Sequence, residues 1–218
     1  MRILPRTLWL VATLMLISAA PAQGPLNLST AKAAVLRYVD AGCYEKDLAV
    51  EAAAAHEWIE LRGSQRVDGE RLAIVLDIDE TTLSNLPHMR AMDFGYVPAS
   101  WDLWVAEATA PAIEPVKQIF LTARQYGVTV FFITGRKESD RPGTDKNLDV
   151  AGMGDHERLI CKPSDFPGTS ESYKIAARER LTADGWTIIA NVGDQESDLR
   201  GGFSEKTFKL VNPFYIIE

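Results

Sequence analysis

Cysteine and histidine are scarce in this chain, whose 218 residues include two of the first and three of the second. Two thiols cannot make the disulfide framework on which small secreted folds depend. Cys43 and Cys161 lie far apart in sequence and read either as one disulfide or as buried free thiols, the second being favoured. His56, His88 and His156 are scattered without the spacing of a zinc site, and each reads as a surface or packing residue. An excess of basic charge is missing too. A net charge of −7 argues against a partner as polyanionic as a nucleic-acid polymer. It leaves room for a small anionic substrate, because a metal ion and a few cations reverse the field locally. No apolar run reaches the ~20 residues that a membrane span needs, and internal repeats and low-complexity segments are absent.

A hydrophobic share of 46% and a charged share of 24% are those of a folded globular chain, long enough for one domain with a small inserted lobe. The first 22 residues stand apart. Arg2 and Arg6 precede an apolar stretch from Leu8 to Ile17, followed by small residues ending in Ala20-Pro21-Ala22. This is the three-part pattern of a secretory signal peptide. Cleavage after Ala22 leaves a domain of residues 23–218 that is periplasmic or secreted and free of the membrane. No cysteine follows the small residues to take a lipid. Asn27-Leu28-Ser29 matches a glycosylation sequon, but it reads better as a helix start with Ser29 as N-cap.

The remaining chain alternates strands and helices. Asn27 to Val67, rich in alanine, leucine and glutamate and broken near Gly42, predicts two N-terminal helices. Leu72 to Leu83, LAIVLDIDETTL, is an apolar run that empties into Asp77 and Asp79, as a buried parallel strand does at its C-terminal edge. From about 84 to 115 follow four prolines (Pro87, Pro98, Pro111, Pro115) and four aromatics (Phe94, Tyr96, Trp101, Trp104). An insertion there reads as a small cap. A helix from about Val116 to Tyr126 precedes a strand, Val128 to Ile133, that runs into Thr134-Gly135-Arg136. A polar loop with Pro142 and Gly143 leads to a weak strand at Leu159 and Ile160. A helix from about Glu171 to Ala183 precedes the strand Trp186 to Val192 and Gly193-Asp194, and Thr207 to Val211 predicts a last short strand. The expected architecture is α/β, a three-layered, mostly parallel Rossmann-like sheet.

If these strands are adjacent, Asp77 with Asp79, Thr134 with Gly135, and Asp194 with Asp198 converge at one sheet edge, where ligands bind in such folds. One Asp-x-Asp alone reads equally well as turn or capping chemistry. The ordered set is more specific. Asp77-Ile78-Asp79-Glu80-Thr81 resembles the first motif, D-x-D-x-T, of the haloacid dehalogenase superfamily, and Thr134, Lys174 and Gly193-Asp194-Gln195-Glu196-Ser197-Asp198 match its later motifs in order. The strings DIDETTLSNLP, GDQESDL and TFKLVNPFY are similar to acid phosphatases of classes B and C and to plant vegetative storage proteins.

The resemblance implies a haloacid dehalogenase fold and a Mg²⁺-dependent acid phosphatase acting on small phosphate monoesters. In that scheme Asp77 is the nucleophile and forms an aspartyl-phosphate, and Asp79 is the acid and base. The carboxylates of Asp77 and Asp194 and the backbone carbonyl of Asp79 bind Mg²⁺, an ion that prefers oxygen ligands. Asp198 is either a direct ligand or a brace for the others. Thr134 and the backbone around Gly135 hold phosphoryl oxygens, Lys174 offsets the charge of carboxylate and phosphate, and Thr81 is the motif hydroxyl or an N-cap. Glu80 and Arg136 receive no role, and a surface arginine is an equal reading of Arg136. Trp101 and Trp104, three apart, either pack on the domain or offer an apolar wall to the leaving group. Related class C enzymes stack nucleotide bases between aromatics, and Tyr215 lies near the matching position, which implies nucleoside monophosphates. The rival readings are a storage or binding protein on the same scaffold and a phosphotransferase. A homo-oligomer stays open.

Overall fold

The computed structural model describes Gly24 and residues 26–217, so the expected signal peptide lies outside the described residues. The elements are α1 (Leu28–Asp40), α2 (Cys43–Ser64), β1 (Leu72–Leu76), α3 (Leu86–Ala91), α4 (Pro98–Glu107), α5 (Glu114–Gln125), β2 (Thr129–Lys137), α6 (Arg141–Val150), β3 (Arg158–Lys162), α7 (Ser170–Ala183), β4 (Thr187–Gly193), α8 (Glu196–Leu199) and β5 (Lys206–Lys209). The five strands form one sheet in the order β3-β2-β1-β4-β5, and every pairing is parallel. No helix among the described residues is long and apolar enough to cross a membrane.

β1 is buried on both faces along its whole length. Leu72, Ile74 and Leu76 enter the core shared with Ala55 and Ile59 of α2 and with Ile119 and Phe120 of α5. Ala73 and Val75 point the other way, into a smaller core with Tyr173, Ala177 and Leu181 of α7. These two cores make the three layers, and they explain why β1 reads as unbroken apolar sequence. α5 shows how the sequence selects its helices. Pro115 occupies the first turn, where its missing N–H costs nothing. Val116, Ile119, Phe120 and Ala123 then recur at helical spacing and are all buried. α2 and α5 approach closely at Gly63, where a Cβ would lie 2.8 Å from the Cβ of Tyr126.

Three local expectations are corrected. The segment with Pro142 and Gly143 is α6, not a loop: Pro142 stands in the first turn, and Gly143 is the residue that lets α6 touch α4. The N-cap of α1 is Asn27, whose side chain accepts from the backbone N–H of Ser29 and Thr30 at 3.0 and 3.3 Å. Both cysteines are free, but Cys43 is exposed and Cys161 alone is buried.

The sheet order reverses direction between β1 and β4, so their C-terminal ends flank a crevice of the kind in which open α/β sheets bind ligands. The segment 84–115 leaves and returns beside it. Its two ends are tied by backbone bonds from Ser84 N to Pro111 O at 2.9 Å and from Ile113 N to Thr82 O at 3.0 Å. Between them lie α3 and α4, and the return segment after α4 is held by Asn147 of α6, which accepts from Ala110 N and donates to Ala110 O at 3.0 and 2.8 Å.

The α4–α6 contact is tested by Gly143→Ala. The new Cβ would stand 2.3 Å from the carbonyl oxygen of Val105 in α4, and backbone cannot swing aside as a flexible side chain does. Chemical denaturation is expected to show a loss of about 1–3 kcal/mol.

Candidate active site

The loop after β1 turns sharply because Glu80 adopts a left-handed φ of 55°, a conformation that costs a non-glycine residue about 1–2 kcal/mol. Hydrogen bonds hold it there. Thr82 Oγ donates to the carbonyl oxygen of Asp77 at 2.5 Å, and the backbone N–H groups of Thr82 and Leu83 both donate to Ile78 O at 2.9 Å. Asp77 thereby stands just past the end of β1, its N–H bound to Val192 O of β4 at 3.0 Å.

Around it gather Asp194, just after β4, and Asp198 of α8; each of the three acids offers an oxygen within 4.8 Å of the others, and all three are buried. Lys174 of α7 reaches them from the other face of the sheet. Its Nζ donates to Asp77 Oδ1 at 2.5 Å and to Asp198 Oδ1 at 2.6 Å. Burial pulls the ammonium pKa down, yet the two carboxylates outweigh burial and hold it above its ordinary value. Arg178 and Lys209 lie nearby but spend donors on the backbone carbonyls of Asp198 and Asp194. The acids are therefore under-compensated. Burial, then the charge of Asp198, pushes the Asp194 carboxyl up to about 6, and burial raises Asp77 as well, against the pull of Lys174. A buried, all-oxygen, negatively charged cluster fits a hard divalent cation such as Mg²⁺.

Asp194 is oriented by three side chains: Thr81 donates to Oδ1 at 3.1 Å, and Gln195 and Asn212 donate to Oδ2 at 2.5 and 2.7 Å. Asp79 faces a different group. Arg136 donates to its Oδ1 from Nη2 at 2.7 Å and from Nε at 3.0 Å, and Asn85 adds a bond to the same oxygen at 2.8 Å. Arg136 is 5% exposed, so the reading of it as a surface residue is corrected: it sits where β2 slips register against β3, a bulge that turns its side chain toward Asp79. Glu80 is fully buried and accepts from Asn85 N at 2.6 Å and from the Tyr215 hydroxyl at 2.5 Å. Burial, then the charge of Asp79, pushes its carboxyl up to about 7, and burial beside Glu80 raises the Tyr215 phenol.

A cavity of about 540 Å³ opens over these groups, lined by Asp77, Asp79, Lys174, Asp194 and Asp198 at its floor and by Gly135 and Arg136 at one side. Phe94, Tyr96 and Trp101 of the inserted segment, with Phe214 and Tyr215, form its aromatic wall. Of the residues singled out in the sequence, Thr81, Thr134 and Trp104 are not among those lining it. The Thr134 hydroxyl oxygen accepts from Arg136 N at 3.1 Å, and Trp104 Nε1 donates to Asn85 Oδ1 at 2.8 Å. Asn85, Gln195 and Asn212 fall within the strings DIDETTLSNLP, GDQESDL and TFKLVNPFY but receive no role there. Gln195 at least follows an acid already singled out, whereas Asn212 acts from the far C-terminal segment.

A sequence model of the HAD superfamily, subfamily IIIB (acid phosphatase), matches residues 20–218. The chain belongs to this family. It is 39% identical to acid phosphatase 1 of Solanum lycopersicum over 69% of this chain and 61% of that protein. It is 37% identical to the stem 28 kDa glycoprotein of Glycine max over 66% of this chain and 59% of the relative. Vegetative storage protein 2 of Arabidopsis thaliana is 28% identical over 66% of this chain and 56% of that one. The chain thus spans about three fifths of the length of these relatives. Among solved structures, the class C acid phosphatase of Bacillus anthracis with tungstate bound shares the fold, at a TM-score of 0.70 and 23% identity over 87% of this chain and 85% of that one.

The role of Lys174 in holding the acids together is tested by Lys174→Met. Removing the ammonium leaves buried carboxylates without their partner, and a loss of about 3–5 kcal/mol is expected. Urea denaturation at neutral pH measures it.

Proposed function

We propose that this protein is an exported, Mg²⁺-dependent acid phosphatase that hydrolyses small phosphate monoesters. The observation that carries the reading is the cluster of Asp77, Asp194 and Asp198 around Lys174 on the floor of a cavity. A storage protein has no physical need for buried acids that raise one another's pKa. A phosphatase does, because a phosphate ester repels any anionic nucleophile unless positive charge is in place beforehand.

Asp77 is the nucleophile. One of its carboxylate oxygens bonds to phosphorus as the ester P–O bond breaks, and Asp79 gives a proton to the departing alcohol. In the second half a water oxygen bonds to phosphorus, the bond to Asp77 breaks, and Asp79 takes up the water proton. Asp77, Asp194 and Asp198, with the backbone carbonyl of Asp79, would hold Mg²⁺, which when bound would supply positive charge against the phosphoryl oxygens. Lys174 keeps Asp77 in place and neutralises part of the charge that gathers there, while the backbone at Gly135 binds phosphoryl oxygens and Thr134 supports it from beneath the cavity. An acidic pH optimum goes with an acid that must be protonated in the first step.

The aromatic wall of Tyr96, Trp101 and Tyr215 favours esters with flat apolar leaving groups, nucleoside monophosphates among them. Export rests on the N-terminal pattern ending in Ala22, and the segment 84–115 acts as the cap.

The test is turnover of p-nitrophenyl phosphate by the protein and by Asp77→Asn. The expected result is Mg²⁺-stimulated release of phosphate, abolished by chelation and restored by added Mg²⁺, with Asp77→Asn lower by at least about 10³-fold. An inactive intact protein supports the storage reading, and an active Asp77→Asn excludes the covalent route. Equal turnover of aliphatic and nucleoside monophosphates removes the role of the aromatic wall.

A further inference from the structure

Asn85 is the side chain through which the inserted segment reaches Asp79. It stands just before α3 and is 2% exposed. Its Nδ2 donates to Asp79 Oδ1 at 2.8 Å and to Glu80 Oε2 at 3.1 Å, and its Oδ1 accepts the indole N–H of Trp104 at 2.8 Å. An indole nitrogen is a donor only, so the atom facing Trp104 must be the amide oxygen, and the amide NH₂ must then face the acids. Trp104, with a longer bond from Arg136 Nη2 to the same oxygen at 3.5 Å, fixes which way Asn85 points. On the far side of Asp79, Arg136 is itself held, by a bond from Nη1 to Thr144 Oγ at 3.0 Å and by the Trp101 ring 5.4 Å from its Cζ.

The two oxygens of Asp79 are not equivalent in this frame. Oδ1 accepts from Asn85 Nδ2, Arg136 Nη2 and Arg136 Nε, whereas Oδ2 receives one longer bond, from Arg136 Nε at 3.2 Å. An oxygen already ringed by N–H donors has no room for a proton. Oδ2 has.

We propose that Asn85, oriented by Trp104, is a positioning residue for Asp79: with Arg136 it saturates Oδ1 and leaves Oδ2 as the oxygen that hands the proton to the leaving alcohol. The inference rests on the reading of Asp79 as the acid. It also gives Trp104 a task different from lining the substrate wall: its indole N–H acts on the reaction through an amide. Helix α4 and the catalytic loop are joined by this relay, so the cap and the proton donor are set in one frame.

Leaving-group chemistry separates positioning from packing. p-Nitrophenolate departs without needing a proton, whereas an alkoxide from glycerol 2-phosphate needs one as the P–O bond breaks. The experiment measures kcat/KM, which includes the step in which the alcohol leaves, for both esters with the Mg²⁺-supplemented protein, Trp104→Phe, Asn85→Ala and, as reference, Asp79→Asn. Trp104→Phe and Asn85→Ala are expected to slow glycerol 2-phosphate at least about tenfold more than p-nitrophenyl phosphate, with the same selectivity as Asp79→Asn. Trp104→Phe keeps a ring in place, and it carries the test if Asn85→Ala does not fold. If Asp79→Asn is selective but Trp104→Phe slows both esters alike, the positioning role is overturned and the acid remains. If Asp79→Asn slows both alike, the acid reading fails and takes the positioning role with it.

Discussion

The structure depends on negative charge that is taken out of water and only partly neutralised. Three carboxylates meet at the ends of two adjacent strands, with one lysine ammonium bonded to two of them. Such a cluster disfavours the folded state when nothing else is present, because each buried anion loses hydration and raises the others. The surrounding elements answer to that cost. α7 contributes Lys174 from one face of the sheet, α8 places Asp198 against the backbone N–H of Gln195 at 2.8 Å, and Gln195 and Asn212 donate to Asp194. Every one of these donors lies on an element C-terminal to the strand that carries Asp77.

Two acids only one residue apart are thereby given different surroundings. Asp77 is bonded to an ammonium inside the cluster, and Asp79 looks out to the cavity between a guanidinium and an amide. Strand alternation alone would put Asp77 and Asp79 on one face, but β1 ends at Leu76, and the tight turn closed on Ile78 O, with Glu80 left-handed, sends the two acids to different partners. Separation of environment is what lets like groups take unlike tasks. The buried Glu80 is the third acid of the loop, but its oxygens are taken up by Asn85 and Tyr215. It ties the loop after β1 to both the inserted segment and the C-terminal segment.

The sheet was legible in the sequence because its central parallel strands β1, β2 and β4 are buried and leave apolar runs. The edge strands β3 and β5 are partly exposed and left weak signals, though both lie at about the expected positions. Helix α6 was not legible, since Pro142 and Gly143 are turn residues by composition, and only the close backbone of Val105 and the first-turn position explain them. At the site, the residues that sit at strand ends were readable by order and spacing. The residues that orient them were not. Asn85 and Gln195 are ordinary amides whose acid partners lie close in sequence, and Asn212 is one that reaches Asp194 from 18 residues on; a sequence alone does not show where an amide points. Arg136 was ambiguous because a charge beside a strand end is commonly solvated, and a slip of register against β3 turned it inward. Trp104 was readable as an aromatic of the inserted segment, but its indole N–H proved the more informative part of it.

The adjacency of β1 and β4 has a kinetic meaning. The bond from Thr81 to Asp194 spans 113 positions of sequence, and parallel pairing over such a distance closes late because the intervening chain must be ordered first. Until β4 docks, the acids after the first strand stay hydrated and far from their partners, and the cluster of Asp77, Asp194 and Asp198 is not assembled. A divalent ion held by that cluster would then report completed folding and would add its binding free energy to the native state alone. For a chain that crosses a membrane before it folds, that dependence would make the ion content of the destination compartment part of the folding reaction.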